Sequence, residues 1–511
     1  MGKTLIKRLT SLFLGLIIII PALLAQDSST VYVIRELNFE VDGRSLPYYL
    51  SLYGEIREGE RIQGRENHEI YIERRIENLN NQRVLDETAT RIDYFLGPPE
   101  PDAAIPVRLE IFVKDTPWNL IILPYPKYDS NDGLSISLRA REYNFLGTMN
   151  PLRVDLGFAS NQDDQQSVNF MIDTNTPFRA FGFDWVFNFD HYIDLTFGED
   201  LYYRNVTGVS MNYPWNNTNF NFGINHLLTF NHSDYKDPYG SIEPYASWAI
   251  PLGINVGEYG QLSYTLALAG SISYPYGLLP ESFRPTATFS HSLGFGRVNW
   301  IGNYRKGLNA SLSNSFTWHF DRSDAPLAAD LLASVHFYHP FNNIIAIYSR
   351  LRYRHFWQWS DRNNRWIAFE SGGSDIRGVI NREIHGYNML SFNLDIPIRI
   401  LRFWPTDWLE DPEMRLFNFE MHFSPFVDIA LVEGPYYANS KTELGDIKFS
   451  LDNMITTIGF EIIVYPDIAR SLQIRASFGY NIEKLRDRGY QPRLGFIPQW
   501  DEIFIGMDFH F

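Results

Sequence analysis

The stretch FNFEMHFSPFVDIAL, residues 417–431, alternates between two kinds of side chain. One parity is apolar and comprises Phe417, Phe419, Met421, Phe423, Val427, Ile429 and Leu431. The other is polar and comprises Asn418, Glu420, His422, Ser424 and Asp428. A period of two indicates a β-strand whose two faces meet different surroundings. An apolar face opposite acids and a histidine is typical of a strand that separates lipid from a polar barrel lumen.

The same pattern recurs in the strands that precede this stretch. Residues 389–400 place apolar side chains at every even position and mostly polar ones, Asp395 among them, at the odd positions. The strand before carries three arginines on one face, Arg350, Arg352 and Arg354. A charge that faces lipid near the bilayer midplane costs roughly 2–4 kcal/mol. These arginines are therefore predicted to face the lumen, together with Asp395 and Asp428.

Strand and turn patterns continue through residues 118–511, and at about 25 residues per strand and connection they accommodate about sixteen strands. The chain ends DEIFIGMDFHF, with Gly506 in the last alternating strand and Phe511 as the final residue. This ending resembles the terminal signal of bacterial outer-membrane barrels. We predict a mainly β protein whose C-terminal part, residues 118–511, is a transmembrane antiparallel barrel. The alternative is a soluble all-β sandwich or barrel.

The N-terminal quarter of the chain has a different sequence pattern from the predicted barrel. Residues 1–25 carry Lys3, Lys7 and Arg8 before a short apolar run, which predicts a secretory signal peptide. Residues 31–115 follow the order β-α-α-β-β, which predicts one small α+β domain within residues 26–117. The chain has no cysteine, so disulfides and cysteine-based zinc sites are excluded. Its formal net charge of −16 argues against a nucleic-acid partner.

One loop departs from both strand and ordinary turn. The segment GGSDIRG, residues 372–378, has a single arginine among three glycines. A second motif, REYNFLGT at residues 141–148, lies at the end of an early predicted barrel strand. These motifs, behind a signal peptide and one α+β unit, resemble the BamA/TamA superfamily of outer-membrane assembly and secretion factors. The α+β unit resembles that family's POTRA domain.

The resemblance implies that the loop folds back into the barrel and that its arginine meets acids on the inner wall. Carried over residue by residue, it implies that Arg377 pairs with Asp395, Asp428 or both. Three glycines would permit close backbone packing: Gly372, Gly373 and Gly378. The alternative is a solvent loop. Val379 stands where the family usually has an aromatic residue, and this chain has room for one POTRA-like domain where assembly proteins carry several.

A weak junction is predicted where the barrel closes. Pro124 and Pro126 lie in the first barrel strand, and prolines are tolerated mainly at sheet edges. We therefore expect a partly open seam between this strand and the last one, which contains Gly506 and Phe511. The alternative is that the prolines merely end a short strand. Within the α+β domain, residues 106–115 are the predicted strand for binding an extended partner.

The resemblance implies a non-enzymatic function: insertion or export of unfolded β-rich client proteins at the bacterial outer membrane, with the POTRA-like domain in the periplasm. Expected partners are unfolded outer-membrane or secreted clients, outer-membrane lipid and accessory lipoproteins. Two alternatives stay open: a dedicated transporter of the two-partner secretion type, and a passive porin or surface antigen. No hydrolase, nucleotide or metal motif stands out, so no cofactor or metal is expected.

Overall fold

The computed structural model describes most of the chain from residue 30 to residue 506. The exceptions are residues 102, 130–132, 161–165, 217, 232–238, 276–283, 322, 324–325, 360–368, 372–374, 380–383, 410, 435, 438–448, 452–453, 469–471 and 483–501. The predicted signal peptide, Gly372, Gly373 and Phe511 lie outside the described residues.

The described part of the chain starts with a small α+β domain around one hydrophobic core. Its elements are β1 (Val31–Asp42), α1 (Pro47–Gly54), β2 (Arg61–Gln63), α2 (Arg65–Asn80), β3 (Arg91–Leu96) and β4 (Ala104–Lys114). The strand order is β2-β1-β4-β3, with β1 and β4 parallel. Leu50 of α1 and Leu79 of α2 are fully buried against Leu109 and Ile111 of β4. The two helices thus cover one face of the sheet.

The rest of the described chain forms a closed antiparallel barrel, as predicted. Its first strands are β5 (Leu120–Asp129), β6 (Gly133–Glu142), β7 (Leu152–Ser160), β8 (Gln166–Ala180), β9 (Phe183–Thr196), β10 (Tyr202–Trp215), β11 (Thr218–Phe230), β12 (Tyr239–Asn255) and β13 (Gln261–Pro275). Four more strands follow: β14 (Arg284–Ile301), β15 (Tyr304–His319), β16 (Leu327–Pro340) and β17 (Ala346–Trp359).

The barrel is completed by β20 (Asn388–Asp395), β21 (Ile398–Phe403), β22 (Phe419–Glu433), β24 (Met454–Pro466), β25 (Ile474–Asn481) and β26 (Glu502–Gly506). Because β20 and β21 both pair with β22, they are halves of one strand interrupted at Ile396 and Pro397. The described residues therefore fill eighteen strand positions, two more than the estimate of about sixteen. A separate small sheet joins β18 (Phe369–Ser371), β19 (Ile384–Gly386) and β23 (Tyr436–Tyr437).

The barrel wall has two distinct faces. Along β22 the polar parity of the opening stretch is buried and the apolar parity is more accessible. Outward apolar side chains on the first strands are more than a third exposed: Leu120, Ile122, Leu134, Ile136, Leu138, Leu156 and Phe158. Such an outer surface suits a lipid environment. No helix among the described residues has the length and apolar character needed to cross a membrane.

Candidate functional site: a charged loop tip inside the barrel

Residues 375–379 form a loop tip that lies inside the barrel against its C-terminal strands. Arg377 is only 2% exposed. Its Nε and Nη2 donate to the two carboxylate oxygens of Asp428 at 2.9 and 2.7 Å, and its backbone N–H donates to the same group at 2.9 Å. Its Nη1 donates to Asp395 Oδ1 at 2.6 Å. The arginine fork thus makes a bidentate contact with one acid while it reaches a second.

Two further groups complete the surroundings of Arg377. Glu461 on β24 has its Oε1 atom 3.2 Å from Arg377 Nη1. The guanidinium carbon lies 3.6 Å from the centre of the Phe426 ring, which is a cation–π contact. Arg475 on β25 reaches Glu461 from the other side at 3.3 Å. The arginine therefore connects side chains from β20, β22 and β24.

The loop tip has a second charged contact of opposite sign. Asp375, two residues before Arg377, forms an ion pair with Arg352 of β17. Its backbone carbonyl accepts hydrogen bonds from Arg350 Nη2 and Asn393 Nδ2, each at 3.0 Å. An acid and a base of the loop are thus paired with opposite charges on two neighbouring parts of the wall.

Together these side chains form a charge cluster whose formal charges sum to zero. It consists of four arginines and four acids: Arg350, Arg352, Arg377, Arg475, Asp375, Asp395, Asp428 and Glu461. All except Arg352 are less than a tenth exposed. Buried ions are costly unless each is paired, so removal of any one member leaves an uncompensated charge.

The backbone of the loop tip packs closely against β25. Gly378 has φ +83°, and an added Cβ atom would lie 2.9 Å from the backbone nitrogen of Tyr480. Any side chain at 378 would therefore force the loop away from the wall. Ile376 and Val379 are fully buried and pack in a cluster with Met389. Val379, in place of an aromatic residue, therefore has a filled apolar site.

The barrel closes between β26 and β5. Among the described residues these strands are paired at two positions, Phe504 with Asp129 and Ile505 with Tyr128, whereas β5 and β6 are paired at ten. Because the β5–β6 register runs unbroken through Pro124 and Pro126, their nitrogens point toward the β26 side. Neither proline has an N–H to donate across the closure. Gly506 is paired with Arg475 of β25.

The α+β domain lies across one end of the barrel and is joined to the β6–β7 connection. Asn144, from the REYNFLGT motif, is 1% exposed. Its Nδ2 donates to Asp115 Oδ2 at 3.0 Å and its Oδ1 accepts the Met149 N–H at 2.8 Å. Gly147 has φ +74° and its carbonyl accepts the Leu46 N–H at 3.1 Å. This motif therefore forms the joint between domain and barrel.

On the opposite rim the contacts come from side chains of α2 and the residues after it. Arg297 Nη2 donates to Glu77 Oε2 at 2.8 Å, and Asn81 Nδ2 donates to Asn299 Oδ1 at 2.9 Å. The Arg83 guanidinium lies over the Trp300 ring at 4.1 Å. The domain thus reaches from the β6–β7 connection to the β14–β15 turn and spans the barrel mouth.

Comparisons with known proteins give structural similarity without a sequence match. No family model and no curated protein matches the chain. The chain is similar to BamA from Haemophilus ducreyi lacking POTRA domains 1–3, at 14% identity and a TM-score of 0.39, over 93% of this chain and 84% of that one. It is similar to CdiB from Acinetobacter baumannii at 14% identity and 0.45, over 93% and 74%. CdiB from Escherichia coli gives 10% identity and 0.40, over 96% and 92%. BamA gives its name to the family that the sequence resembles.

The structure brings Arg377 and Gly378 together with Asp395 and Asp428. Sequence reasoning missed Asp375, Glu461, Arg475 and the ring of Phe426. Glu461 lies on the buried parity of β24, so the alternation that identified Asp428 could have identified it too. Asp375 lies in a loop, where alternation gives no information.

Proposed function

We propose that this chain is a non-enzymatic outer-membrane insertase or translocase that handles unfolded β-rich client proteins. The observation that carries the proposal is the position of the charge cluster. Its wall residues lie on β17, β20, β22, β24 and β25, the strands that lead up to the β26–β5 closure. We propose that the loop tip ties these strands together and stiffens the wall beside this closure.

The seam supports a template mechanism. Backbone groups at an open strand edge have no water to bind inside a bilayer, so an open seam is costly until another strand pairs with it. A client strand that pairs with β5 or β26 satisfies those groups by β-augmentation. We propose that the prolines of β5 keep the β26–β5 closure weak enough for this exchange.

The predicted partner strand of the α+β domain has to be corrected. All but the last of residues 106–115 belong to β4, which is hydrogen-bonded to β1 on one side and to β3 on the other, so it has no free edge. The edges of this sheet are the three-residue β2 and the longer β3, and Tyr94, Phe95 and Leu96 of β3 are 38%, 46% and 51% exposed. We propose β3 as the strand that receives an extended client segment.

In this proposal the α+β domain acts as a single POTRA-like domain in the periplasm. Clients reach it unfolded, with or without accessory lipoproteins, and the burial of client strands in lipid drives assembly without a nucleotide. The domain spans the mouth, so it must tilt from one rim before a chain can enter the lumen.

A second candidate, a dedicated secretion transporter, is favoured by the lumen wall formed by β13, β14 and β15. Small uncharged side chains there line a cavity of about 290 Å³, Thr265, Ala267, Ser290, Ser292, Ser313 and Ser315 among them, and Asp330 of the neighbouring β16, which is paired with Arg354, also lines it. A wall of mostly small side chains with one paired acid suits passage of an extended polypeptide of varied sequence.

Depletion of the protein followed by quantitative proteomics of the outer-membrane and secreted fractions tests the proposal. We expect broad loss of β-barrel proteins, restored by the wild-type chain and by Arg354→Ala, a lumen-facing arginine outside the charge cluster, but not by Arg377→Ala. Loss of one secreted protein would favour the dedicated transporter. Unchanged fractions would contradict both and leave a passive porin or surface antigen.

A further inference from the structure

The connection between β21 and β22, residues 404–418, is longer than the other connections described at the α+β end of the barrel. It contains a short helix α3 (Thr406–Leu409) and a 3-10 segment (Pro412–Phe417). The β8–β9 and β14–β15 connections at the same end need two residues each. Reversing the chain direction does not need this many residues, so we infer that the connection has a further role.

One side of this segment is bound to the protein. Arg415 Nε donates to Asp467 Oδ2 at 3.0 Å, and its Nη2 lies 3.6 Å from Asp86 Oδ2 in the α+β domain. Asn418 is 3% exposed, bonds to Thr406 Oγ1 at 3.0 Å and accepts the Asp467 N–H at 2.9 Å through its carbonyl. These contacts fix the orientation of the segment.

The other side exposes large apolar side chains. Trp408 is 67% exposed, Leu409 57%, Leu416 45% and Phe417 54%. Four such residues within ten positions, on a segment that is otherwise well bonded, are too many for an ordinary water-facing turn.

This apolar side continues the outer surface of the barrel. The Trp408 ring packs edge-on against Phe403, at 5.7 Å between ring centres, and Phe403 packs on Phe419 at 5.5 Å. Phe403 and Phe419 are paired neighbours on the outward parity, while Glu420 beside them is buried on the lumen side. The patch is therefore an extension of the lipid-facing band.

We propose that residues 404–418 lie on the membrane surface, with Trp408, Leu409, Leu416 and Phe417 inserted at the boundary of headgroups and acyl chains. Tryptophan and leucine are the residues that interfacial segments insert there. Asp407 on α3 is paired with Arg402 at 3.5 Å, so this pair offers no net positive charge to anionic headgroups, and we propose that the occupant is the apolar boundary of a zwitterionic phospholipid leaflet. Because Arg415 also holds Asp86, the segment fixes one rim of the α+β domain relative to the bilayer.

Single-cysteine labelling tests this, since the native chain has no cysteine. Leu409→Cys and Leu416→Cys, each labelled with an environment-sensitive fluorophore, are placed with the full-length protein in phosphatidylcholine nanodiscs with plain or brominated acyl chains. Asp407→Cys is the matched control, because positions 407 and 409 are about 200° apart around a helix. We expect blue-shifted emission and strong loss of intensity with brominated lipid at 409 and 416, and aqueous emission at 407.

The outcomes separate lipid from other occupants. Aqueous emission at 409 and 416, quenched by iodide in solution, would overturn the proposal. Blue-shifted emission that brominated lipid leaves unchanged would overturn it in favour of a protein covering the patch. As a second measurement, Arg415→Gln should keep the lipid quenching at 409 and raise amide exchange around Asp86; unchanged exchange would overturn the inferred link to the α+β domain.

Discussion

Arg377 is the most important single residue for the proposed function, because it forms ion pairs with three buried carboxylates. Asp395, Asp428 and Glu461 all lie within 3.2 Å of its guanidinium nitrogens. The parity of β20 and β22 allowed the first two acids to be predicted from sequence. The exact set of partners could not be, because it depends on how a loop folds back across the lumen, and loops carry no periodicity.

Replacing Arg377 by alanine should destabilise the barrel by about 3–5 kcal/mol, the usual cost of removing one partner from a buried ion cluster. Urea unfolding in lipid vesicles measures this. Arg354→Ala is the control, because its ion pair with Asp330 is about a third exposed and should cost less than about 1 kcal/mol. Equal stability of the two variants would refute the structural importance of the cluster.

Because the formal charges of the cluster sum to zero, we predict that the effects of Asp375 and Arg352 on stability are strongly coupled. Asp375→Asn and Arg352→Gln each leave one net charge, whereas the double variant is neutral again. The double variant should therefore lose less stability than the two single losses added together, by about 0.5–3 kcal/mol. Additive losses in the same urea assay would show that the pair does not act as a unit.

Among the secondary-structure elements, the alternation of apolar and polar residues predicted where strands lie better than it predicted how many there are. The estimate of about sixteen assumed about 25 residues per strand and connection. Several connections need only two residues, as between β8 and β9 or β14 and β15, so more strands fit into the same length. The helical turn of residues 404–418 was missed because a four-residue helix shows no helical period.

Helix α2 contains a buried histidine that should make the α+β domain sensitive to acid. His68 is 1% exposed, stacks on Tyr32 and contacts the Tyr94 ring edge. Burial lowers the pKa of His68 below its usual value, an effect that nearby Glu69 partly opposes. The folded domain thus favours the neutral ring, so its stability falls as pH drops below the ordinary histidine pKa of about 6.5.

Amide exchange of α2 at pH 7.5 and 5.5 checks this expectation. Exchange should accelerate at the lower pH in the wild-type protein, while His68→Phe, which keeps a stacked ring, should lose most of that acceleration. The same acceleration in both proteins would place the acid sensitivity elsewhere.

In the whole molecule, the α+β domain covers one mouth of the barrel. The sequence predicted both parts, but not that the domain spans the mouth, because the contacts on the rim opposite the Asn144 joint connect residues more than two hundred positions apart. Asn81 and Asn299, on the rim opposite the Asn144 joint, are in hydrogen-bond contact.

A disulfide between Asn81→Cys and Asn299→Cys should therefore hold the domain over the mouth and block client assembly until it is reduced. Tyr53→Cys with Asn150→Cys, beside the joint and bridged by a short bis-maleimide linker because the long tyrosine side chain separates the two backbones, is the matched control, because that rim stays closed when the domain tilts. Assembly that continues under oxidising conditions with the Asn81–Asn299 link formed would show that the domain need not move.

A cross-link across the β26–β5 closure shows whether this seam must open for the protein to work. Tyr128 and Ile505 are paired across the β26–β5 closure, so Tyr128→Cys with Ile505→Cys should form a disulfide in a chain that otherwise lacks cysteine. Assembly of a model β-barrel client is then followed in proteoliposomes before and after reduction. We predict that the oxidised protein is inactive and that reduction restores activity. Full activity of the quantitatively cross-linked protein would contradict an opening seam.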